Sequence, residues 1–408
     1  MDLSFNDLSE LEEKYSSMKS KGFNLDLTRG KPSESQLDLS NELDGILLNS
    51  FVLENTDIRN YGNIKGLTGC RELGAKILNY PSGNVLAGGN SSLTLMSQYL
   101  MSLFLHGSGK GPWKSDERIT FLCPSPGYDR HFKLCEEFGI NMIPVPLTGE
   151  GPDIEYIKKI SKEDNSVRGI WCVPKHSNPT GDIYSKDCIQ NMLELVNHLD
   201  KEFKIFWDNA YAVHDFLPCN SLPSIFDLAT EQGCLDSVVA FASTSKITFA
   251  GGGVSFIALS DNNLEIFLKH YSSVTIGPDK VNQARHERLF KTYEDLEKHM
   301  EKHAEIIKPK FEIVEKWLSL QNFGSWTKPS GGYFVSFNTK PGLAKKTIQL
   351  ALDVGLKLTP AGSTYPYGVD PLDQNIRLAP TACSVHELEE AMEMFITCVA
   401  LATLQQET

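Results

Sequence analysis

The stretch that decides the fold is Phe-Ala-Ser-Thr-Ser-Lys-Ile-Thr-Phe-Ala-Gly-Gly-Gly-Val-Ser, residues 241–255. An apolar run, residues 237–242, leads into it and is typical of a buried strand. Lys246 follows that strand and precedes three glycines, which allow the backbone to turn close to a flat ligand. Burial lowers the pKa of a lysine, which makes its amine the nucleophile that imine chemistry needs. Ser243 and Ser245 add hydroxyl groups suited to a phosphate. An exposed lysine in a serine- and glycine-rich loop is the alternative.

Polar residues also follow two other predicted strands. Asn178 comes shortly after the apolar run 169–174, and Asp208 directly follows the run 203–207. In open α/β sheets, ligands bind beyond the carboxyl ends of the strands. An isolated aspartate at such a position often caps a helix, but three polar residues at three strand ends favour a site. The sequence therefore predicts that Asn178, Asp208 and Lys246 line one cleft.

A glycine turn precedes the predicted helix 93–105. Gly89, Asn90 and Ser91 stand between an apolar strand and the start of this helix. Free backbone N–H groups and the helix dipole make such a turn a binding site for anions. Asn90, Ser91 or Ser92 could also simply cap the helix. The two interpretations are compatible, because one turn can cap a helix and bind a phosphate.

Composition limits the class of protein. The chain has 408 residues, 41% of them hydrophobic and 22% charged, which is typical of a globular protein of two or three domains. A net charge of −13 without a basic stripe argues against a nucleic-acid partner. Nine cysteines without a Cys-x-x-Cys pair predict no disulfide framework and no metal site. The N-terminus lacks a signal-peptide pattern, and no apolar segment could span a bilayer, so we expect a cytoplasmic protein with no membrane partner.

Strands and helices alternate through the middle of the chain. This order predicts an α/β fold with a parallel sheet covered on both faces. The C-terminal part, with strands predicted at 329–337 and 375–379 and a last helix at 385–404, is typical of a smaller α+β domain.

Taken in order, these motifs resemble those of the fold-type I aminotransferases, which use pyridoxal 5′-phosphate (PLP). The resemblance covers nearly the whole chain, and its most specific motifs are Asn178-Pro-Thr-Gly181, Asp208-x-x-Tyr211 and Ser243-x-Ser245-Lys246. Residues 27–32, 89–92 and 243–248 are most similar to the aspartate aminotransferases of subgroup Ic, which are themselves similar to the aminotransferase-like domain of MocR regulators. The resemblance implies the PLP-dependent transferase fold type I. It implies a large domain, residues 50–295, around a mostly parallel seven-stranded sheet. A smaller α+β domain would consist of residues 1–49 and 296–408.

The resemblance implies a role toward PLP for each matching residue. Lys246 would hold the cofactor as an imine and then shuttle a proton, while Asp208 would keep the pyridine nitrogen protonated. Asn178 and Tyr211 would donate hydrogen bonds to the phenolic oxygen of the cofactor, and Tyr128 would stack on its ring. The residues that would hold the phosphate are Gly89, Asn90, Ser91, Ser243 and Ser245.

The resemblance also implies the substrates and the assembly. Arg377 would clamp the substrate α-carboxylate as a bidentate fork, with a surface ion pair as the alternative for this residue. Gly30, Arg29 and Asn178 would complete the substrate site. Tyr61 would reach the phosphate of the neighbouring subunit, which implies a homodimer with shared active sites. The expected reaction is ping-pong transfer of an amino group between an amino acid and a 2-oxo acid, first of all aspartate and 2-oxoglutarate.

The chain departs from the family pattern in two places. Val254 stands where many members have a phosphate-binding arginine, so hydroxyls, backbone N–H groups or another cation must hold the phosphate. The segment 174–177 is longer than usual, and we expect His176 to fill this loop rather than to contact the substrate. No motif fixes the cation for a second substrate carboxylate. The candidates are Arg29, Lys31 and Arg130.

Two other functions remain possible on the same scaffold. One is a lyase or an aminotransferase that uses PLP with another amino acid. The other is a sensor domain that binds PLP without turnover, like that of MocR regulators. The acidic balance of the chain and the start of its aminotransferase-like pattern near residue 25 argue against the sensor.

Overall fold

The computed structural model of the chain describes residues 7–200 and 202–407. In this part of the chain the α-helices, α1 to α13 in order, are Leu8–Ser20, Glu34–Asp38, Thr68–Leu78, Ser92–His106, Asp129–Glu137, Ile154–Glu163, Lys186–Val196, Ile225–Glu231, Asp261–Val274, Lys280–Leu289, Tyr293–Leu318, Ala344–Asp353 and Val385–Glu407. The strands, β1 to β14, are Leu25–Asp26, Val52–Leu53, Thr56–Asp57, Val85–Ala87, Thr120–Ser125, Asn141–Pro146, Val167–Cys172, Lys204–Asp208, Val238–Ser243, Ser255–Leu259, Gly324–Trp326, Val335–Thr339, Leu356–Lys357 and Asn375–Leu378.

A seven-stranded sheet forms the centre of the molecule. Its strand order is β4-β10-β9-β8-β7-β5-β6. The pairs from β9 to β6 are all parallel, and β10 runs antiparallel to both of its neighbours. The predicted α/β fold with a mostly parallel seven-stranded sheet is therefore confirmed.

Apolar layers cover both faces of this sheet. Because side chains alternate along a strand, neighbouring residues of β5 and β8 enter different layers. Leu122 and Ile205 belong to the apolar cluster on one face. Phe121 and Phe206 belong to the cluster on the other. Burial on both faces explains why these strands read as continuous apolar runs in the sequence.

A second apolar core joins the two ends of the chain. It contains residues of α1, β1, α11, β12, β14 and α13. Here β12 pairs antiparallel with β11 and β14, and the short β1 pairs in parallel with β13. That this core belongs to a separate, smaller α+β domain, with boundaries at 50 and 295, stays a prediction. The apolar spacing of residues 1–22 predicts an amphipathic helix. In the structure α1 spans Leu8–Ser20, and residues 1–6 lie outside the described residues.

The strand predicted at 329–337 is shorter than expected. In the structure β12 begins only at Val335, and residues 331–334 bend across the site instead. Gly331 forms an isolated bridge with Asp215, and a Cβ atom at Gly331 would lie 2.2 Å from Nε2 of His176. The close approach of these segments therefore requires glycine here and prevents a regular strand.

The cysteines form no disulfides. All nine are free, and every one except Cys219 is buried. Free cysteines are typical of a reducing compartment, and the cytoplasmic location stays a prediction. Among the helices of residues 7–200 and 202–407, none has both the length and the apolar character needed to cross a membrane.

Candidate active site

Three neighbouring parallel strands bring the predicted residues to one edge of the sheet. Asp208 is the last residue of β8, Lys246 follows β9, and Asn178 lies in the turn after β7. The negative charge of Asp208 reaches Lys246, where it opposes the effect of burial on the pKa of the lysine amine. Lys246 and Asp208 therefore lie close enough for their charges to interact.

Asp208 is buried, and only one of its two carboxylate oxygens has a hydrogen-bond partner. Its Oδ2 lies 2.9 Å from Nε2 of His131, which must carry the hydrogen because an ionised carboxylate only accepts. The His131 ring stacks on Trp171, with centroids 4.3 Å apart, and this packing fixes its direction. The other oxygen, Oδ1, is buried without a hydrogen-bond partner. Such an oxygen is costly unless a ligand donates to it.

The amine of Lys246 is poised as a nucleophile. Burial is the main effect on its pKa and lowers it below the ordinary lysine value. Its Nζ lies 5.0 Å from the centroid of the Tyr211 ring. The hydroxyl of Tyr211 is itself buried, and burial holds its pKa well above the ordinary tyrosine value. A neutral Tyr211 can donate a hydrogen bond within the cleft.

The main-chain carbonyl of Lys246 is held by two side chains from other elements. The hydroxyl of Tyr333 donates to it at 3.2 Å, and Nε2 of His214 lies 3.3 Å away. Nε2 of Gln36 in turn donates to the Tyr333 hydroxyl at 2.9 Å and lies 3.0 Å from Nδ1 of His303. We call Gln36, His214, Tyr333 and His303 the carbonyl clamp. It links α2 and α11 to the lysine.

The lowered pKa of His303, a member of the carbonyl clamp, makes the free energy of unfolding depend on pH. Burial, followed by the neighbouring His299, lowers the pKa of His303 to about 4. Between the unfolded value of about 6.5 and the folded value, the unfolded chain binds a proton that the folded chain does not, so stability falls as the pH falls through this window. The loss from His303 alone is up to roughly 3 kcal/mol at low pH.

We therefore expect urea unfolding to show a steeper loss of stability from neutral to acidic pH in the wild type than in His303→Gln. The carboxylates common to both proteins serve as the internal control. Equal slopes for the two proteins would contradict the assignment.

The glycine turn before α4 contacts the segment that carries the lysine. The hydroxyl of Ser245 donates to the carbonyl of Asn90 at 2.9 Å, and Nδ2 of Asn90 donates to the carbonyl of Gly251 at 3.3 Å. Ser91 is the N-cap residue of α4, yet its side chain makes no capping hydrogen bond. Gly89, Asn90, Ser91 and Ser245 thus lie together, with the Ser91 hydroxyl not used by the helix.

Arg377 lies on the other side of the cleft, on β14. Its Nη1 donates to Oδ1 of Asp129 at 3.0 Å and to Oδ1 of Asn178 at 3.3 Å. Its Nη2 reaches only the carbonyl of Thr28, at 3.4 Å, and its Nε is buried without a partner. The guanidinium carbon stands 4.9 Å from the centroid of the Phe334 ring. The residue is buried, so it is not the surface ion pair considered as an alternative.

Gly30 supports this arginine through the same ring. A Cβ atom at Gly30 would lie 2.3 Å from Cζ of Phe334. No side chain fits there without moving Phe334, and with it the surface on which Arg377 rests. Gly30 and Arg377 thus both contact the Phe334 ring, and a role of Gly30 in substrate binding stays a prediction.

Comparison with known proteins agrees with this geometry. The family model for aspartate amino-transferases matches residues 3–408. The chain belongs to this aminotransferase family. An aspartate aminotransferase of Corynebacterium glutamicum is 40% identical over 407 residues, which cover 97% of this chain and 93% of that protein. The family predicted from the motifs, fold-type I PLP-dependent aminotransferases close to aspartate aminotransferases, is therefore confirmed, and the chain is a transferase.

Solved structures show the same fold. The crystal structure of an aspartate transaminase from C. glutamicum has a TM-score of 0.94 at 40% identity, covering 98% of this chain and 96% of that one. LysN, an α-aminoadipate aminotransferase from Thermus thermophilus complexed with N-(5′-phosphopyridoxyl)-L-leucine, has a TM-score of 0.77 at 21% identity. That match covers 97% of this chain and 96% of LysN, and it carries information about the fold alone.

Two of the aminotransferase's side chains in this cleft could not be identified from the sequence. Neither His131 nor Asp129 lies directly at the end of a predicted strand or in one of the family motifs. Both lie in the first turn of α5, directly after Tyr128, whose ring centroid lies 4.9 Å from that of His131. Their partners Asp208 and Arg377 are distant in the chain, so only the folded structure shows the pairing.

Other predicted residues of the aminotransferase are exposed or belong to the apolar core. Tyr61 is 81% exposed. The three candidate cations for a second carboxylate, Arg29, Lys31 and Arg130, are also exposed. Val254 is buried in the core, and its backbone N–H donates to the hydroxyl of Thr244, so the family's usual phosphate cation has no substitute at that position.

His176 fills its loop, as expected. Its ring is buried, and Nε2 lies 2.6 Å from Oδ1 of Asp215. Lys175 donates to the other oxygen of the same carboxylate at 2.8 Å. Cys219 lies close enough to His176 and Asp215 for the three to share a metal ion in principle. The ammonium of Lys175 already neutralises the carboxylate, which disfavours a second cation there.

Proposed function

We propose that this aminotransferase transfers an amino group between aspartate and 2-oxoglutarate, in a ping-pong reaction that uses PLP. The observation that supports it most is the Oδ1 atom of Asp208, which is buried without a hydrogen-bond partner. The same carboxylate is close enough to Lys246 to act on the pKa of its amine. When bound, PLP supplies an aldehyde for the lysine and a ring that accepts electrons from the substrate Cα.

The residues present fit PLP. Asp208 Oδ1 would accept a hydrogen bond from the protonated pyridine nitrogen, because a fixed anion favours the proton there. Tyr211 and Asn178 would donate to the phenolic oxygen, and Tyr128 would cover the ring. The phosphate would be held by hydroxyls and backbone N–H groups at the start of α4, where the helix dipole attracts anions. The residues proposed for it are Gly89, Asn90, Ser91, Ser243 and Ser245.

The substrate α-carboxylate would bind the Nε and Nη2 edge of Arg377. Nε has no partner and Nη2 has only a long contact, whereas Nη1 is already used. A bidentate carboxylate needs two adjacent donors on one edge of a guanidinium. Arg377 would hold the substrate so that its Cα faces Nζ of Lys246, which would take and return the Cα proton.

A preference for aspartate is supported by two further guanidinium groups. Arg29 follows Thr28, whose carbonyl contacts Arg377, and Arg130 follows Asp129, which pairs with Arg377. Both are exposed at the cleft border and could reach the second carboxylate of a dicarboxylic substrate. The name of the C. glutamicum relative points to the same substrate.

A homodimer is part of the same proposal. Tyr61 is exposed, and the carbonyls of its neighbours Asn60 and Gly62 accept hydrogen bonds from Lys280, which hold the loop. Ile276, an exposed apolar residue, precedes Gly277. The backbone of Gly277 packs closely against that of Gly62, since a Cβ atom at Gly277 would lie 2.3 Å from the Gly62 carbonyl oxygen. We infer that these two exposed side chains on adjoining loops are part of a dimer interface, through which Tyr61 would reach the partner's phosphate site.

The test compares amino acids on the purified protein with PLP. We expect aspartate and glutamate to convert the cofactor to its amine form faster than alanine, leucine or phenylalanine do. Arg29→Gln or Arg130→Gln should lower kcat/KM for aspartate about tenfold or more, with little change for alanine. Binding of PLP without conversion by any amino acid would refute the proposal in favour of a sensor. Equal losses for aspartate and alanine would refute the second-carboxylate role.

A further inference from the structure

Arg377 already carries a carboxylate partner from its own chain. Oδ1 of Asp129 accepts from Nη1 at 3.0 Å, and the side chain of Asp129 is 29% exposed against 7% for that of Arg377. The other carboxylate oxygen, Oδ2, lies 3.9 Å from Nε of Arg130. Asp129 therefore stands between two guanidinium groups that the proposed function assigns to the carboxylates of the substrate.

Asp129 is not the only group that holds Arg377 in place. Nη1 also donates to Asn178, Nη2 contacts the carbonyl of Thr28, and Phe334 lies under the guanidinium plane. What Asp129 adds is a negative charge at a site that must bind an anion. Like charges a few ångströms apart repel each other more strongly in a partly buried site than in bulk water, because the effective dielectric constant is lower there.

We propose that Asp129 acts as an internal counter-ion of Arg377, which competes electrostatically with the substrate carboxylates and thereby sets the affinity for them. This inference rests on the proposed role of Arg377. Without substrate, Asp129 neutralises a buried guanidinium that would otherwise be an unpaired charge. When substrate binds, the negative charge of the partly exposed Asp129 partly neutralises Arg377 and Arg130. Each substrate carboxylate therefore binds less tightly than it would to the two cations alone.

The substitution Asp129→Asn isolates this charge. An asparagine keeps an oxygen that can accept from Nη1 of Arg377, but it is neutral. We expect KM for the amino acid and for the 2-oxo acid to fall about five- to tenfold, with kcat changed by less than about twofold. The gain should be larger for aspartate than for alanine, because two carboxylates benefit. The same change at the far end of α5, Glu137→Gln, removes an exposed charge and should leave both constants unchanged.

A binding measurement separates this inference from the proposed reaction. Succinate has two carboxylates and no amino group, so its calorimetric titration into the protein needs no turnover. We expect Asp129→Asn to bind succinate about five- to tenfold more tightly than the wild type, and the gain to disappear in an Arg377→Lys background.

If no amino acid reacts, the proposed function fails while the succinate titration still decides the role of Asp129. Unchanged or weaker binding of succinate by a folded Asp129→Asn would overturn the inference and make Asp129 a support for the arginine. Should Asp129→Asn fail to fold, Asp129→Ser carries the same charge test with the same expected gain.

Discussion

Replacing Lys246 with alanine is expected to remove amino-group transfer, with kcat lower by about 10⁴-fold or more. The amine is the nucleophile of the proposed reaction and the group that would carry the Cα proton, so one substitution removes both functions. Burial lowers the pKa of this amine below the ordinary lysine value, which favours its unprotonated, nucleophilic form more than an exposed position would. Steady-state rates with aspartate and 2-oxoglutarate, followed together with the visible absorption of bound PLP, measure the loss.

An exposed lysine gives the matched control. Lys159→Ala on α6 removes the side chain of an exposed lysine and should retain full activity. Added methylamine should restore part of the activity of Lys246→Ala, because a small amine can occupy the space left by the side chain and move the proton. Substantial turnover by Lys246→Ala without any added amine would show that another group performs the chemistry.

Replacing Asp208 with asparagine is expected to lower kcat/KM by roughly 10³-fold, about 4 kcal/mol of transition-state stabilisation. Asparagine is nearly the same size and can still accept from His131, so the substitution removes the charge and little else. Without the anion, a pyridine nitrogen beside Oδ1 loses its proton, and the ring accepts electrons from the substrate less well.

The visible spectrum and the kinetics distinguish this effect from misfolding. Asp208→Asn should bind PLP and show its band while turnover is lost, and Asp187→Asn, an exposed aspartate on α7, should behave as the wild type. An Asp208→Asn protein that retains more than about a tenth of the wild-type kcat/KM would exclude an essential charge at this position.

The sequence predicted the sheet and the residues at its strand ends, because both depend on local patterns. Apolar runs followed by Asn178, Asp208 and Lys246 are visible within short windows, and parallel strands place their carboxyl ends together. Pairings between distant segments could not be predicted. His131 with Asp208 and Asp129 with Arg377 join positions separated by 77 and 248 residues, and no periodicity encodes them.

The shortened strand before Val335 has a similar cause. Residues 329–337 read as a strand because aromatic and β-branched side chains are typical of one. Tertiary contacts outweigh that preference, since Gly331 must approach His176 and Tyr333 must turn toward the carbonyl of Lys246. The departure from the local pattern therefore coincides with the part of the strand that serves the site.

The carbonyl clamp has a consequence for proteolysis and cofactor retention. Gln36 belongs to the N-terminal segment, which adds no strand to the large sheet, yet through Tyr333 it reaches the residue that would bind PLP. Local unfolding of residues 25–40 would break the hydrogen bond between Gln36 and Tyr333. Tyr333 would then hold the main-chain carbonyl of Lys246 less firmly, and the backbone there would become more mobile. Trimming of this segment by a protease should therefore accompany loss of the cofactor, and bound PLP should slow amide hydrogen exchange in a region that it does not contact.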